Sequence, residues 1–389
     1  MTAVQRLWAG IAWIAFTALL VCYPHASFAA TSRALSLWWQ VVLPGLLPFL
    51  VASALLNRLG ITYLAGRWLE PVTRRLFNLP GAAALVIVLG YSSGPPVAAT
   101  MVAELRRRHL CTRHEAEKLL GFAHNASPLF LLAAVPVGML GNAALGWPLA
   151  AAHYGANLIL GLCWRWYGCG DRAAPGRERL LAGAADLLSG YEIAPATGLP
   201  GLTADAFLQA FRTLLLVAGY MTISAVGLAL LEEAGILLLL EETLFRPLLS
   251  WLSLSPDLGE ALATGMVEMT LGAHHASQVS APLIDRLSVI SLILGWSGLS
   301  VYGQVASVLT GTDIRLTPYL LSRLAQGLLA SGLVRLWVPA VVPTSGFSAP
   351  ATATTWPPRW AFGASLLLLG VGLATYFLLA LLCQRLRQT

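Results

Sequence analysis

Ten apolar stretches, parted by short polar or Gly/Pro-rich turns, follow one another along the chain. Eight are continuous, at about 7–29, 35–57, 119–140, 143–166, 206–231, 283–309, 318–342 and 360–383. Each is long enough to cross a hydrocarbon core of about 30 Å as a helix. The other two, 82–103 and 258–281, are interrupted. In the first, Gly90-Tyr91-Ser92-Ser93-Gly94-Pro95-Pro96 places two prolines and two glycines inside an apolar run. As one straight helix, 82–103 would be roughly 33 Å long, so length does not decide whether it crosses. Charge does: Arg67, Arg74 and Arg75 precede it, and Arg106, Arg107, Arg108, Arg113 and Lys118 follow it. Both clusters belong on the cytoplasmic face, and a single crossing would separate them. A re-entrant hairpin keeps them together. Non-helical backbone at membrane depth survives only where it lines a cavity or is buried in protein, so the break predicts a solute site.

The predicted fold is therefore all-α and polytopic, with about eight transmembrane helices and two re-entrant helical hairpins. With the N-terminus inside, all but five of the 24 basic residues fall on or next to the cytoplasmic face, the exceptions being Arg33, Arg246, Arg286, Arg335 and Arg359. The C-terminus is then cytoplasmic too. Arg6, the apolar run from Leu7 to Cys22 and the small residues Ser27, Ala29 and Ala30 also resemble a secretory signal peptide. An uncleaved first helix over 7–29 is the preferred reading. Residues 167–203, rich in Gly, Pro and Arg, read as a cytoplasmic linker, 343–359 as an external loop and 360–385 as a last transmembrane helix.

The two halves match. Pro71 and Pro80 are nine residues apart, and the same spacing returns 176 residues later at Pro247 and Pro256. Each pair lies between a full crossing and an interrupted segment, and two full crossings follow each. Repeat one (35–166) and repeat two (204–342) start on opposite faces, so the halves form inverted-topology repeats. That arrangement, with discontinuous helices, marks secondary transporters whose solute site lies near the midplane where the repeats meet.

Composition sharpens this. The chain of 389 residues is 57% hydrophobic and 11% charged, with a mean hydropathy of +0.72, against about 25% charge in a soluble domain. The net charge of +6 sits in short loops between apolar segments, which argues against a nucleic-acid partner. Five cysteines form no CxxC, and no metal-ligand spacing occurs. There is no HExxH, GxSxG, Walker loop or dinucleotide fingerprint, so neither an enzyme nor a cofactor is expected.

Candidate solute-binding residues cluster at the helix breaks. Ser92 and Ser93 supply hydroxyls at the first hairpin tip, where helix ends also present free backbone N–H groups. Glu268, Thr270 and His274 lie around Gly272 in the second interrupted segment, and a carboxylate at that depth costs about 2.5–3.5 kcal/mol on insertion scales. A structural hydrogen bond within the hairpin is the competing role for Glu268. Two full crossings also break: Asn125 and Ser127 precede Pro128 in the first repeat, and Ser297, Ser300 and Gln304 follow Gly295 in the second. Ordinary helix–helix contacts by Ser and Asn are the bland alternative. Together, two tips and two partly unwound helices could surround a small polar solute. The expected partners are that solute and the bilayer, with a homo-oligomer left open.

Val42-Leu-Pro-Gly-Leu-Leu-Pro-Phe49, Phe77-Asn-Leu-Pro-Gly81, Leu89-Gly-Tyr-Ser-Ser-Gly-Pro-Pro96, Glu104-Leu-Arg-Arg-Arg108 and Asn125-Ala-Ser-Pro-Leu-Phe130 together resemble the YlbJ-type sporulation integral membrane proteins. Gly295-Trp-Ser-Gly-Leu-Ser300 resembles that group's second-half motif. The group belongs to the nucleoside-recognition (Gate) superfamily, which is similar in part to concentrative nucleoside transporters. The resemblance spans about residues 35–342. It implies a spore-forming bacterium and movement of dipicolinic acid across the mother-cell-derived outer forespore membrane. A nucleoside-type solute, or a non-transporting scaffold or assembly factor for sporulation, are the alternatives. Gly94-Pro95-Pro96 departs from the glycine-tyrosine-proline-type spelling expected in the family.

Overall fold

The computed structural model describes residues 3–59, 61–93, 95–168 and 198–341. The predicted external loop 343–359, the last transmembrane helix 360–385 and most of the linker lie outside them. Every described element is helical. Helix α1 (Ala3–Cys22) stops short of the predicted 7–29 boundary, because Pro24 cannot donate to the preceding turn and instead opens α2 (Pro24–Leu37). A π-helical turn, Trp38–Val42, joins α2 to α3 (Leu43–Arg58), and Pro24–Leu56 forms one membrane-length span that begins before the predicted 35–57. Helix α4 (Ile61–Phe77) turns by 88° into α5 (Ala82–Ser93), and α6 (Pro95–Arg107) follows. Next come α7 (Arg113–Ala123), a π-helical segment (Phe130–Met139) and α8 (Gly146–Cys163).

The second half repeats the order. Helix α9 (Gly198–Glu233) starts inside the predicted linker, and it is followed by α10 (Ile236–Leu240) and α11 (Arg246–Trp251). Then α12 (Gly259–Val267), α13 (Met269–Gln278), α14 (Leu283–Trp296), α15 (Gly298–Val308) and α16 (Leu316–Val341) complete the described chain. By length and apolarity, three spans among the described residues qualify to cross a membrane: Pro24–Leu56, Pro200–Glu233 and Leu283–Val308. The bent pair Pro71–Phe77 and Ala82–Tyr91 would make a fourth. Helix α16 is long enough to cross, but its apolar run carries Arg323, Gln326 and Arg335. The two long spans meet at positions 176 residues apart, where Trp38 Nε1 donates to the Leu214 carbonyl at 2.9 Å.

In both interrupted segments the chain reverses. A Cβ on Gly90 would lie 3.1 Å from the Ala98 Cβ. Eight residues along a straight helix are about 12 Å apart, so α5 and α6 fold back on each other. Gly90 lies within α5, and its lack of a side chain serves close packing and not the turn. The second reversal is at Glu268, at the start of the polar stretch around Gly272. Glu268 is extended (φ −138°, ψ 117°) and starts α13. Gly272 lies inside that helix, backbone to backbone with α12: a Cβ there would sit 2.2 Å from the Gly265 Cα.

Each reversed pair packs against the break in the next helix. A Cβ on Gly90 would lie 2.1 Å from the Ala123 carbonyl oxygen, at the end of α7. In the second half the glycine comes from the break itself: Gly298, at φ +84°, has its Cβ position 2.9 Å from the Val267 carbonyl of the reversed pair. Trp296 Nε1 donates to the Met266 carbonyl at 2.9 Å and fixes the same contact. The described core has three apolar clusters, one around α5–α7, one around α12–α14 that includes residues 126–152, and one between α2–α3 and α9.

At the arginine-rich end, the α6–α7 turn is tied to the α15–α16 turn. Arg106 makes a two-point contact with Asp313 at 2.7 and 2.8 Å, and Arg107 donates to the Val308 and Thr310 carbonyls. The buried Glu117 carboxylate accepts from Arg315 Nε at 2.9 Å, the Arg315 backbone N–H at 3.1 Å and Tyr167 Oη at 2.7 Å. Burial pushes the Glu117 pKa up, but these donors outweigh it and leave the carboxyl below its usual range. The Arg106 hydrogen bonds likewise hold Asp313 low against its slight burial.

Two outcomes follow for purified protein. Gly272→Val, which drives side-chain atoms into the Gly265 backbone, lowers stability by at least the about 1–3 kcal/mol of ordinary overpacking. Gly303→Ala, with open space around its Cβ position, is near neutral in the same thermal unfolding measurement. The stabilisation from Glu117 and Asp313 is complete above their unfolded pKa values of about 4 and is lost as pH falls through the depressed folded values. Glu117→Gln therefore lowers the melting temperature at neutral pH and flattens its fall in acid.

Candidate functional site

The two breaks differ in extent. In the second half the helix stops for one residue, Ser297, held at φ +74°. Its N–H donates to the Ile293 carbonyl at 2.8 Å and its hydroxyl to Leu294 at 3.2 Å, so the end of α14 is closed locally. In the first half, residues 124–127 carry no helix at all, in the His124–Pro128 motif. The last carbonyls of α7 therefore lack intrahelical partners and must be served from elsewhere.

Side chains of α8 and α16 serve them. Asn157 and Asn125 amides donate to the Phe122 carbonyl. Arg323 donates to the carbonyls of Gly121 and His124 and, at 3.4 Å, to Asn157 Oδ1. Gln326 donates to Asn125 Oδ1 at 3.3 Å, and the Tyr154 hydroxyl donates to the Ala126 carbonyl at 3.0 Å. The Tyr319 hydroxyl lies 3.3 Å from His124 Nε2, and the Arg323 guanidinium stacks on the Tyr319 ring. Tyr319, Arg323 and Gln326 are one helical turn apart, as are His153 and Asn157, so each helix turns one polar face to the break. In the sequence the mark of these five is only the three- and four-residue spacing of polar groups within apolar helices. Arg323 was counted with the cytoplasmic arginines. It is instead 1% exposed inside α16, because the broken end of α7 provides it with acceptors.

Beside the breaks a small cleft, with a cavity volume of about 80 Å³, opens between the two long spans. It brings together Ser127 from the first break, Glu268 and Thr270 from the second reversal, and Ser300 and Gln304 from α15. Thr213 and Tyr220 of α9 add hydroxyls that the sequence did not single out, and the remaining walls are apolar. Such a cavity, apolar with a few convergent polar groups, is the usual form of a small-molecule site. Its ionisable group is Glu268, 5% exposed, and among the described residues no Lys, Arg or His lines it. One Glu268 oxygen accepts the Leu271 N–H at 2.7 Å, which caps α13. Ser127 Oγ accepts the Phe130 N–H at 3.3 Å where the helix resumes.

Other candidates lie elsewhere. Asn125 and Ser297 are fully engaged in closing the two breaks. His274 is outside the cleft lining. Ser92 and Ser93 end α5, and their side chains lie outside the described residues. Among the described residues no cluster of His, Cys, Asp and Glu has the geometry to hold a metal ion.

Comparison with known proteins agrees with this architecture. Residues 39–158 match the Gate family, described as nucleoside recognition. The sporulation integral membrane protein YlbJ of Bacillus subtilis (strain 168) is 37% identical over 329 residues, covering 83% of this chain and 80% of that protein. A solved structure of a CNTnw variant in the intermediate 1 state, a concentrative nucleoside transporter, superposes with a TM-score of 0.51 over 86% of this chain and 85% of that one, at 12% identity. The last likeness shows a shared helical transporter fold.

Glu268→Ala removes the α13 cap and is expected to cost about 1 kcal/mol of stability by thermal unfolding. His274→Ala, outside the cleft, serves as the comparison.

Proposed function

Since the chain belongs to the family of the sporulation integral membrane protein YlbJ, we propose that it moves a small polar solute across a membrane of the sporulating cell. The observation that carries this is the cleft, where polar groups from both halves converge at interrupted helices. We read the halves as inverted repeats with eight crossings and two re-entrant hairpins, and both termini as cytoplasmic. In the sporulating cell, the outer forespore membrane is the proposed location.

The cleft also constrains the cargo. Its charged group is an acid without a cation beside it, so a dianionic solute would meet repulsion. A carboxylate solute such as dipicolinate fits if a proton is shared between it and Glu268, giving a hydrogen bond in place of two like charges. Proton-linked dipicolinate movement is therefore the proposed activity. A nucleoside-type solute is the second reading, favoured by the ability of hydroxyl donors to bond Glu268 directly.

Uptake into proteoliposomes tests this with dipicolinate, a nucleoside and an unrelated dicarboxylate. Dipicolinate uptake is expected to rise several-fold with a proton gradient directed along transport, and Glu268→Gln removes that dependence. Nucleoside uptake without dipicolinate uptake selects the second reading, and uptake of neither selects a sporulation scaffold.

A further inference from the structure

Arg323 poses a separate problem. It is buried midway along the first half of α16, and among the described residues no carboxylate pairs with it. A bare buried cation is expensive, and one at membrane depth more so. What surrounds it is carbonyl oxygen. Its two terminal nitrogens donate to the Gly121 and His124 carbonyls, and one also reaches the Asn157 side-chain oxygen. These acceptors are the C-terminal end of an interrupted helix, where the macrodipole carries about half a negative charge.

Unwound carbonyls and half-helix C-terminal ends are also what coordinate sodium in transporters with broken helices. The first half of this chain has such an end, four residues wide, and a guanidinium fills it. The second half has a one-residue break whose carbonyls are met by Ser297, and no cation is needed there. We propose that Arg323 is a tethered cation standing where the broken end of α7 would otherwise recruit an alkali metal ion, so that the protein works without sodium. The site still contains unused polar atoms: Arg323 Nε, Gln326 Oε1 and Ser322 Oγ are buried without partners. Removing the guanidinium would leave a polar cavity lined by at least three oxygen acceptors, which suits a small cation.

This inference concerns the ion and not the cargo, and it stands or falls without any transport assay. The test is thermal unfolding of the purified full chain in sodium, potassium and choline chloride at equal ionic strength. Wild-type protein is expected to melt at the same temperature in all three. Arg323→Ala melts lower in choline and recovers by a few degrees selectively in sodium or potassium. Arg323→Lys, which keeps a charge, stays indifferent to the salt. A sodium-selective rise in the wild type overturns the proposal, because the α7 end would then still bind an ion. An Arg323→Ala loss that is equal in all three salts also overturns it, since the arginine would be only a cap. If Arg323→Ala does not fold, Arg323→Gln, neutral and of similar length, is read by the same two criteria.

Discussion

A helix that ends inside the protein leaves its last carbonyls without intrahelical partners, and α7 ends in that way at the buried Ala123. Water cannot serve these groups in the hydrocarbon region, and an unmade buried hydrogen bond costs about 1–3 kcal/mol. The surrounding structure is built around this demand. Helices α8 and α16 each turn a polar face to residues 121–127, and the first reversal presses Gly90 against the Ala123 carbonyl. Pro128 keeps the break from closing into ordinary helix, and this support holds Ser127 in the wall of the cleft beside it.

The same demand explains the difference between the halves. The short turn at Ser297 and Gly298, both left-handed, leaves few carbonyls free, and local bonds close them. Four non-helical residues at 124–127 leave more, and charge is drawn in from α16. Both breaks then need backbone-close neighbours, which is why glycine recurs at 90, 265, 272 and 298. A methyl group at any of the tightest of these would hold the hairpin away from the helix it supports.

Charge is divided between two places in the fold. The cation sits behind the first break and is spent on carbonyls, while the acid faces the cleft and caps α13. The cleft therefore presents an acceptor and hydroxyls to a solute, with apolar walls on either side. Outside the membrane-depth region, Arg106, Arg315, Asp313 and Glu117 join the turns of the two halves. Motion of one half against the other would have to break those pairs.

Much of this was legible in the residues. Apolar length and low charge gave the membrane and the all-helical class, and Pro/Gly clusters gave the reversal between α5 and α6 and the break at 124–127, because both signals are local. Glu268, Thr270, Ser127, Ser300 and Gln304 could be chosen as polar residues at such breaks, and the fold gathers them into one cleft. Other features depend on what lies across a gap in sequence. That the turn falls at Glu268 and Gly272 instead packs α13 against α12 depends on backbone packing between the two helices. Arg323 looked like a surface charge because nothing within ten residues of it marks its acceptors, which lie about 200 residues earlier. Periodicity and composition fix where helices start, stop and break; which carbonyls meet which donors is decided only when the two halves pack.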